Sequence, residues 1–323
     1  MDLTIIIVSY NTRQLTLECL RSIFVETKAL EFEVIVVDNA STDGSVEAIA
    51  AEFQAVHVLA QTQNLGFAQA NNLAAKQGQG KYLLLLNPDT VVLDRAIETL
   101  VGLARTRPQN GIYGGRTLFE DGTLNPTSCW QRQTLWSVFC RAVGLSAVFR
   151  YSRLFDPESY GAWRGKWVRE VDIVSGCFLL IRRELWEDLG GFSECFFMYG
   201  EEADLCLRAR RLGIRPLVTT DARIVHYGGA AETVRADKLV QLYLAKGTLM
   251  WRHWPRWAAM LGIGLQQFNV VRRMLMWNLL DFCGTRKQPP RGPAFSELWR
   301  RRRHWLCSFD TPCPGPDVRS RLK

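Results

Sequence analysis

The sequence of 323 residues has no C-x-x-C among its nine cysteines, no H-E-x-x-H among its four histidines and no G-x-G-x-x-G after its first apolar run. The first two absences remove the usual zinc spacings. An odd cysteine count fits no closed disulfide framework, so reduced thiols are expected. The third absence removes the dinucleotide fingerprint. Gly161-Ala162-Trp163-Arg164-Gly165-Lys166-Trp167 falls one residue short of a phosphate-binding loop and ends in Trp. Dehydrogenase, ATPase and zinc hydrolase chemistries all lose ground.

Long hydrophobic runs are also missing. In the last quarter of the chain the longest uncharged stretch, residues 257–271, has 15 residues and includes Gln266, Gln267 and Asn269, short of the ~20 apolar residues that span a bilayer. The start, Met1-Asp2-Leu3-Thr4-Ile5, lacks the basic region and apolar stretch of a signal peptide. A cytoplasmic chain is therefore expected.

What is present is a globular composition, 47% hydrophobic and 22% charged, which excludes a disordered polymer and a polytopic membrane protein. The formal charge of +8 is unevenly placed: residues 235–323 hold 17 Lys and Arg against 5 Asp and Glu, and residues 1–234 hold 23 against 27. The acidic body argues against nucleic acid as a partner. The basic tail carries Trp251, Trp254, Trp257 and Trp277 among Arg252, Arg256, Arg272 and Arg273, which suits an anionic membrane surface. Residues 257–271 read as a helix lying in the interface, with an ordinary docking helix as the alternative. The Arg300–Arg303 run suits lipid phosphates or a solvated face. Two domains are expected, 1–234 and 235–323, with a Gly/Pro/Arg linker at 284–293.

Along the first hundred residues, short apolar runs at 3–8, 34–37, 56–59 and 83–86 alternate with helical patterns such as Leu15, Leu17, Leu20, Ile23 and Ile97, Leu100, Val101. That alternation predicts an α/β fold with a parallel sheet. Turn chemistry follows the strands: Ser9-Tyr10-Asn11, Asp38 to Gly44, and Asn87-Pro88-Asp89. In open α/β sheets this carboxyl edge binds ligands. Residues 113–170 read as long loops and short helices, 171–181 as a buried strand, 202–212 as a helix and 215–225 as two short strands. Asp38, Asn87 with Asp89, Glu201 with Glu202 and Asp204, and His226 could converge at the sheet edge. There they offer hard ligands for Mg²⁺ or Mn²⁺, which in turn holds a diphosphate.

Five segments then stand in a familiar order: Thr4 to Asn11, Val36 to Gly44, Asn64-Leu65-Gly66-Phe67-Ala68, Leu86-Asn87-Pro88-Asp89, and Phe196 to Leu205 with its Gly200-Glu201-Glu202-Ala203-Asp204. Together they resemble family 2 glycosyltransferases of the GT-A fold, within them bacterial rhamnosyltransferases, over roughly residues 3–230. The resemblance implies a Rossmann-like, mixed, mainly parallel sheet, followed here by a helical C-terminal extension. It implies that Asp38 contacts the nucleotide base, that Ser9, Tyr10 and Asn11 wall the donor pocket, and that Asn64, Gly66 and Phe67 close over it. Asn87-Pro88-Asp89 stands where the family has a D-x-D motif, so Asp89 is the implied metal ligand, with Asn87 near ribose or phosphate. His226 resembles a histidine that completes the metal site in relatives. Gly176, in Ser175-Gly176-Cys177, lies where relatives have a turn beside the donor sugar or acceptor. The family's base is the Asp of an E-D pair that here reads Glu201-Glu202. Glu202 is thus the implied base, with Asp204 as second choice.

The resemblance implies an inverting, metal-dependent transferase, with dTDP-L-rhamnose as first donor and UDP-sugars behind it. The implied acceptor is a polyprenyl-diphosphate-linked glycan for O-antigen, capsule or exopolysaccharide, met at the inner face of the cell membrane by a peripheral protein. A homodimer stays open. Two other readings remain: nucleotidyl transfer, disfavoured because Ser9-Tyr10-Asn11-Thr12-Arg13 has no glycine, and a non-catalytic, membrane-associated partner in a glycan assembly complex.

Overall fold

The computed structural model describes residues 1–160, 167–228, 236–282 and 292–306. The chain begins with β1 (Leu3–Ser9), α1 (Arg13–Glu26), β2 (Phe32–Asp38), α2 (Ser45–Glu52), β3 (Val56–Ala60), α3 (Gly66–Gln77) and β4 (Tyr82–Leu86). Next come β5 (Thr90–Leu93), α4 (Ala96–Thr106), β6 (Ile112–Leu118), β7 (Cys129–Trp130), α5 (Leu135–Val143) and α6 (Leu145–Val148). They are followed by β8 (Val168–Glu170), β9 (Ile173–Val174), β10 (Phe178–Arg182), α7 (Arg183–Leu189), α8 (Glu201–Arg211) and β11 (Leu217–His226). Helices α9 (Ala236–His253), α10 (Arg256–Phe282), α11 (Gly292–Arg300) and α12 (Arg302–Leu306) complete the described chain.

These elements form two compact units. The first holds residues 1–130 and 167–228 around a mixed sheet of order β3-β2-β1-β4-β10-β6-β11-β5, with β8 added beside β11. Strands β1, β2, β3 and β4 run parallel, as the alternating pattern predicts. Strand β10 runs against both β4 and β6, and β5 runs against β11. Ile5, Ile7, Val34, Val36, Leu84 and Leu180 are sealed from solvent, as expected of strands covered on both faces. Helix α1 buries Leu17, Leu20 and Ile23, and α4 buries Ile97, Leu100, Val101 and Ala104, each set on one helical face. The parallel register sets Ser9 beside Asp38, and Ile7 beside Leu86. The loops after β1, β2 and β4 therefore leave the sheet at the same edge.

Three segments differ from the sequence reading. Residues 112–118, read mostly as the start of a loop region, form β6 inside the sheet. Gly114 and Gly115 break the apolar alternation there, and they are glycines because the strand is crowded: a Cβ on Gly115 would meet the Ala222 carbonyl at 2.4 Å and the Phe178 ring at the same distance. The strand expected over 171–181 is interrupted at Ser175-Gly176-Cys177, which divides β9 from β10. The two strands expected over 215–225 are one, β11, whose register shifts between Val218 and Arg223. The Gly161 to Lys166 stretch, the boundary expected at 234/235 and most of the linker at 284–293 lie outside the described residues.

The second unit gathers residues 131–160 with α9, α10, α11 and α12. Its core holds Val240, Tyr243, Val270, Trp277, Leu298 and Trp305. Helix α10 turns small and polar residues inward: Gly262, Gln266 and Asn269 are buried, with Gln266 Nε2 donating to the Tyr243 carbonyl at 2.9 Å and Asn269 Nδ2 to the Tyr243 hydroxyl at 3.4 Å. Its outer face is apolar, with Trp257 65%, Phe268 51%, Leu275 61% and Phe282 90% exposed. Among the described residues no helix is long and apolar enough to cross a membrane.

Candidate active site

The edge of the sheet is laced by its own loops. Ser9 is buried, its hydroxyl 3.1 Å from those of Thr12 and Thr16, and its carbonyl accepts the Asn39 amide at 2.8 Å. Ser9 thus holds the edge together, whereas Tyr10 stands half exposed on it. Asn11 sits at φ 51, a left-handed conformation that Asn tolerates better than most residues. Its amide donates to Ser41 Oγ at 2.9 Å and its Oδ1 accepts the Thr42 amide at 2.8 Å, clamping the first loop to the second. Ala40 and Tyr199 also have positive φ, at 64 and 70. Strained non-glycine backbone of this kind gathers at binding edges.

Asp38 ends β2 and is 1% exposed. One carboxylate oxygen accepts the Ser41 amide at 2.8 Å, the local turn role its position suggests. The other, Oδ2, is buried with no hydrogen-bond partner among the described residues. A buried acceptor left empty is costly, on the order of 1–3 kcal/mol, and the cost is recovered when a ligand donor arrives. Beside it, Asn39 Nδ2 donates to the Gly66 carbonyl at 3.2 Å and Asn64 Oδ1 accepts the Gly66 amide at 2.8 Å. Gly66 has φ 75, and a Cβ there would fall 2.4 Å from the Phe197 carbonyl. That carbonyl accepts the Phe67 amide at 2.8 Å. The segment 64–67 is thereby tied to the loop that leads into α8.

Gly176 joins the halves of the site. A Cβ on it would lie 3.4 Å from the Phe67 ring and 3.7 Å from Glu202 Cβ, so Phe67, Gly176 and Glu202 meet at one point. One residue on, the Cys177 carbonyl accepts the Asn87 amide at 3.1 Å. The Asn87 side chain lies 3.3 Å from His226 Nε2, and the same nitrogen is 3.3 Å from Asp89 Oδ1. Antiparallel pairing explains the meeting, because β11 sets His226 opposite Thr90 at the start of β5. Burial works against a charge on His226, but Asp89 and the neighbouring Cys177 outweigh it and lift its pKa to about 10.

The Asp89 carboxylate oxygen and His226 Nε2 converge as a pair of hard ligands, and a divalent cation would take the imidazole by displacing its proton. No group of three or more His, Cys, Asp or Glu there forms a metal cage. Mg²⁺ commonly binds through one or two carboxylates plus substrate phosphates and water, and suits such a sparse site.

Gly200, at φ 92, starts α8 and brings Glu201 and Glu202 onto its first turn. Burial raises the pKa of both. Glu201 is pushed well above the ordinary carboxylate range by burial and then by the Glu202 charge, while helix-start amides of Gly200, Glu202 and Ala203 oppose the rise at Glu202. Burial therefore favours a proton on the pair, with the Glu202 charge adding to the rise at Glu201. Glu201 Oε2 and Glu202 Oε2 are both buried without partners among the described residues. The sequence reading placed Glu201 in the acidic cluster at the sheet edge and in the pair with Glu202, without a catalytic role of its own. Asp204 is fully buried and its carboxylate accepts Arg208 Nε at 2.7 Å, while Arg208 also donates to the carbonyls of Leu189 and Gly191. That ion pair anchors α8.

The mixed, mainly parallel sheet with acidic and amide groups at its carboxyl edge is a GT-A fold. Solved structures agree on the fold. The mannosyltransferase PcManGT of Pyrobaculum calidifontis, in complex with GDP-Man and Mn²⁺, matches with a TM-score of 0.51 at 19% identity over 93% of this chain and 79% of that one. S. aureus TarS 1-349 in complex with UDP-GlcNAc matches with a TM-score of 0.52 at 15% identity over 94% and 82%. The model named "Glycosyl transferase family 2" matches residues 4–190, more than half of the sequence. The chain belongs to that family and is a glycosyltransferase.

Among relatives, the O-antigen biosynthesis protein RfbC of Myxococcus xanthus is 31% identical over 228 residues. That match covers 68% of this chain and 16% of RfbC, so the chain corresponds to a small part of that protein. The N-acetylglucosaminyl-diphospho-decaprenol L-rhamnosyltransferase of Mycobacterium tuberculosis is 25% identical over 268 residues, 75% of this chain and 84% of its own length. Rhamnosyltransferase WbbL of Escherichia coli is 25% identical over 50% of this chain and 61% of WbbL.

Proposed function

We propose that the protein is an inverting, divalent-metal-dependent rhamnosyltransferase that moves L-rhamnose from dTDP-L-rhamnose to a polyprenyl-diphosphate-linked glycan in cell-surface polysaccharide assembly. One observation carries this reading: of the buried polar atoms without partners among the described residues, four, Asp38 Oδ2, Glu201 Oε2, Glu202 Oε2 and His226 Nδ1, belong to residues gathered at one edge of one sheet unit. Native proteins leave few such atoms, and those they leave call for a function. The rhamnosyltransferase names of two relatives support the sugar, and the decaprenol-linked substrate in one of those names supports the acceptor.

In this reading Asp38 accepts a hydrogen bond from the donor's base, and Tyr10 and Asn11 flank it. Asn64, Gly66 and Phe67 cover the nucleotide, with Asn87 reaching ribose or phosphate. Asp89 and His226 hold Mg²⁺ or Mn²⁺, whose charge offsets that developing on the departing diphosphate. Glu202 takes the proton of an acceptor hydroxyl as its oxygen attacks the anomeric carbon. The new glycosidic bond forms on the face opposite the breaking bond to the diphosphate, so the anomeric configuration inverts and dTDP leaves. One proton on the pair of Glu201 and Glu202 keeps it at a single charge. Asp204 serves by holding the helix.

The outer face of α10 supports peripheral membrane attachment. Trp257, Phe268, Leu275 and Phe282 line a face that solvent meets, while Gln266 and Asn269 face inward. An amphipathic helix built this way round, in a basic tail, suits an anionic bilayer surface.

The test is dTDP release from dTDP-L-rhamnose with a polyprenyl-diphosphate-linked acceptor and Mn²⁺ or Mg²⁺, beside a panel of UDP- and GDP-sugars. Turnover with dTDP-rhamnose, abolished by chelator, is the expected result. Turnover with another donor alone replaces the sugar. A donor-induced rise in melting temperature without turnover under any condition favours a non-catalytic partner.

A further inference from the structure

The helical unit contains an open cleft of about 890 Å³ between residues 141–156 and the middle of α10. Its walls bring in Arg141, Arg150, Arg272 and Arg273 against one carboxylate, Asp156. Asp156 accepts the Tyr151 amide at 3.2 Å. Arg141 is balanced by Glu158 at 2.5 Å. The partners of the next two arginines are neutral. Arg272 donates to the Ala142 carbonyl at 2.7 Å and to Asn269 Oδ1 at 3.2 Å, and the Arg273 guanidinium lies 4.6 Å from the centre of the Phe295 ring. These contacts orient the guanidinium groups, and among the described residues neither has a carboxylate partner. Gly144, at φ 91, approaches so closely that a Cβ would stand 3.2 Å from Arg272 Nη1.

The surrounding field is positive. The Lys246 amine is depressed to about 8, first by the charge of Arg141 and then by burial. A guanidinium fork matches phosphate oxygens in pairs, which a point charge cannot do. The volume falls in the range of small-molecule sites, ~300–1,000 Å³. The rim is apolar: Val148 is 74% exposed and Met276 37% exposed. A free anion has no use for such a rim, but a phosphate on a hydrocarbon chain does.

We infer that this cleft binds the terminal phosphate or diphosphate head group of a lipid, with Arg150, Arg272 and Arg273 on the phosphoryl oxygens and Val148 and Met276 against the chain. The lipid half of the inference rests on the reading of the helical unit as membrane-associated; the anion half stands on the cleft. Two sources share this chemistry: a bilayer phospholipid with a terminal phosphate, and a polyprenyl diphosphate.

The experiment is co-sedimentation of the full chain with phosphatidylcholine vesicles that carry, at equal charge, phosphatidic acid, a polyprenyl diphosphate or oleate. Inorganic pyrophosphate serves as soluble competitor. Arg150→Gln removes an exposed charge, and Arg272→Lys keeps the charge but loses the fork; melting curves confirm that each variant folds. Both variants should bind the phosphorylated vesicles about tenfold more weakly, as expected for one lost charge-assisted hydrogen bond, and pyrophosphate should displace the unaltered chain. Binding to oleate vesicles should change in neither variant. Loss confined to phosphatidic acid identifies the bilayer as source, and loss confined to the polyprenyl diphosphate identifies the isoprenoid. Variants that bind every vesicle like the unaltered chain, or that lose oleate binding in equal proportion, overturn the inference. Sugar transfer and donor-induced melting shifts, read on the unaltered chain, report on the nucleotide site alone. Their failure would count against the proposed transferase reaction while the vesicle selectivity still decides the cleft.

Discussion

Glu201 and Glu202 are adjacent in sequence, and burial raises the pKa of both. Replacing Glu202 with Gln leaves the shape and removes the base, so turnover should fall by about 10²-fold or more, while the donor-induced melting shift persists; a rate assay beside a thermal-shift assay checks both. Because burial raises the Glu202 pKa, the acid limb of kcat/KM should lie above the ordinary carboxylate range, as a pH–rate profile will show. Glu201 gives a stability test. Its folded pKa lies above its unfolded value, so its contribution is fully present below the unfolded pKa and is lost as pH rises through the folded one. Glu201→Gln should therefore raise the melting temperature at pH 8 and leave it nearly unchanged at pH 4. Of these two residues only Glu202 had the role of base legible in the sequence, because only a motif position marks a base. The raised pKa of its neighbour is set by burial, which no residue type announces.

Helix α8 is positioned from two sides. The ion pair of Asp204 with Arg208 is sealed from solvent, and breaking such a pair from one side costs about 3–5 kcal/mol. Arg208→Ala should lower unfolding free energy by that order in urea titrations, whereas exposed Arg21, bridged to Glu52, should barely register when truncated. At the other side Gly66 meets the loop before the helix. Gly66→Ala places a Cβ 2.4 Å from the Phe197 carbonyl at a positive φ, so the segment must shift, and donor KM should rise together with a lower melting temperature. The motif Asn64-Leu65-Gly66-Phe67 was readable in the chain; the carbonyl that makes glycine necessary was not, since Phe197 is far away in sequence. The same limit hid β6, where Gly114 and Gly115 serve close packing and erase the alternation that marks a strand. The turn at Gly176 was legible only through the family resemblance, since the apolar run 171–181 by itself reads as one strand.

Across the whole molecule, the units separate chemistry from surface. The acidic and amide groups proposed for the donor and the acceptor lie in the sheet unit, and the exposed apolar face of α10 lies in the helical one. Replacing Phe268 and Leu275 with Ser should reduce co-sedimentation with anionic vesicles severalfold without lowering the melting temperature, because both side chains are more than half exposed; an unchanged vesicle affinity would sink the membrane reading. The sequence by itself determined the alternation of β1 to β4 with their helices, the turn residues at the sheet edge, the five motifs and the basic tail. All of these are local: period, turn chemistry and charge are written within a few consecutive residues. Only the tertiary structure decided that β10 runs against β4 and β6, that β5 runs against β11 and so brings His226 to Asp89, and that residues 131–160 join the helical unit. It also decided that Gln266 and Asn269 turn inward while Phe268 and Leu275 face out. Each of these depends on pairing or burial between segments distant in the chain, and no period along the sequence encodes which distant partner a residue will meet.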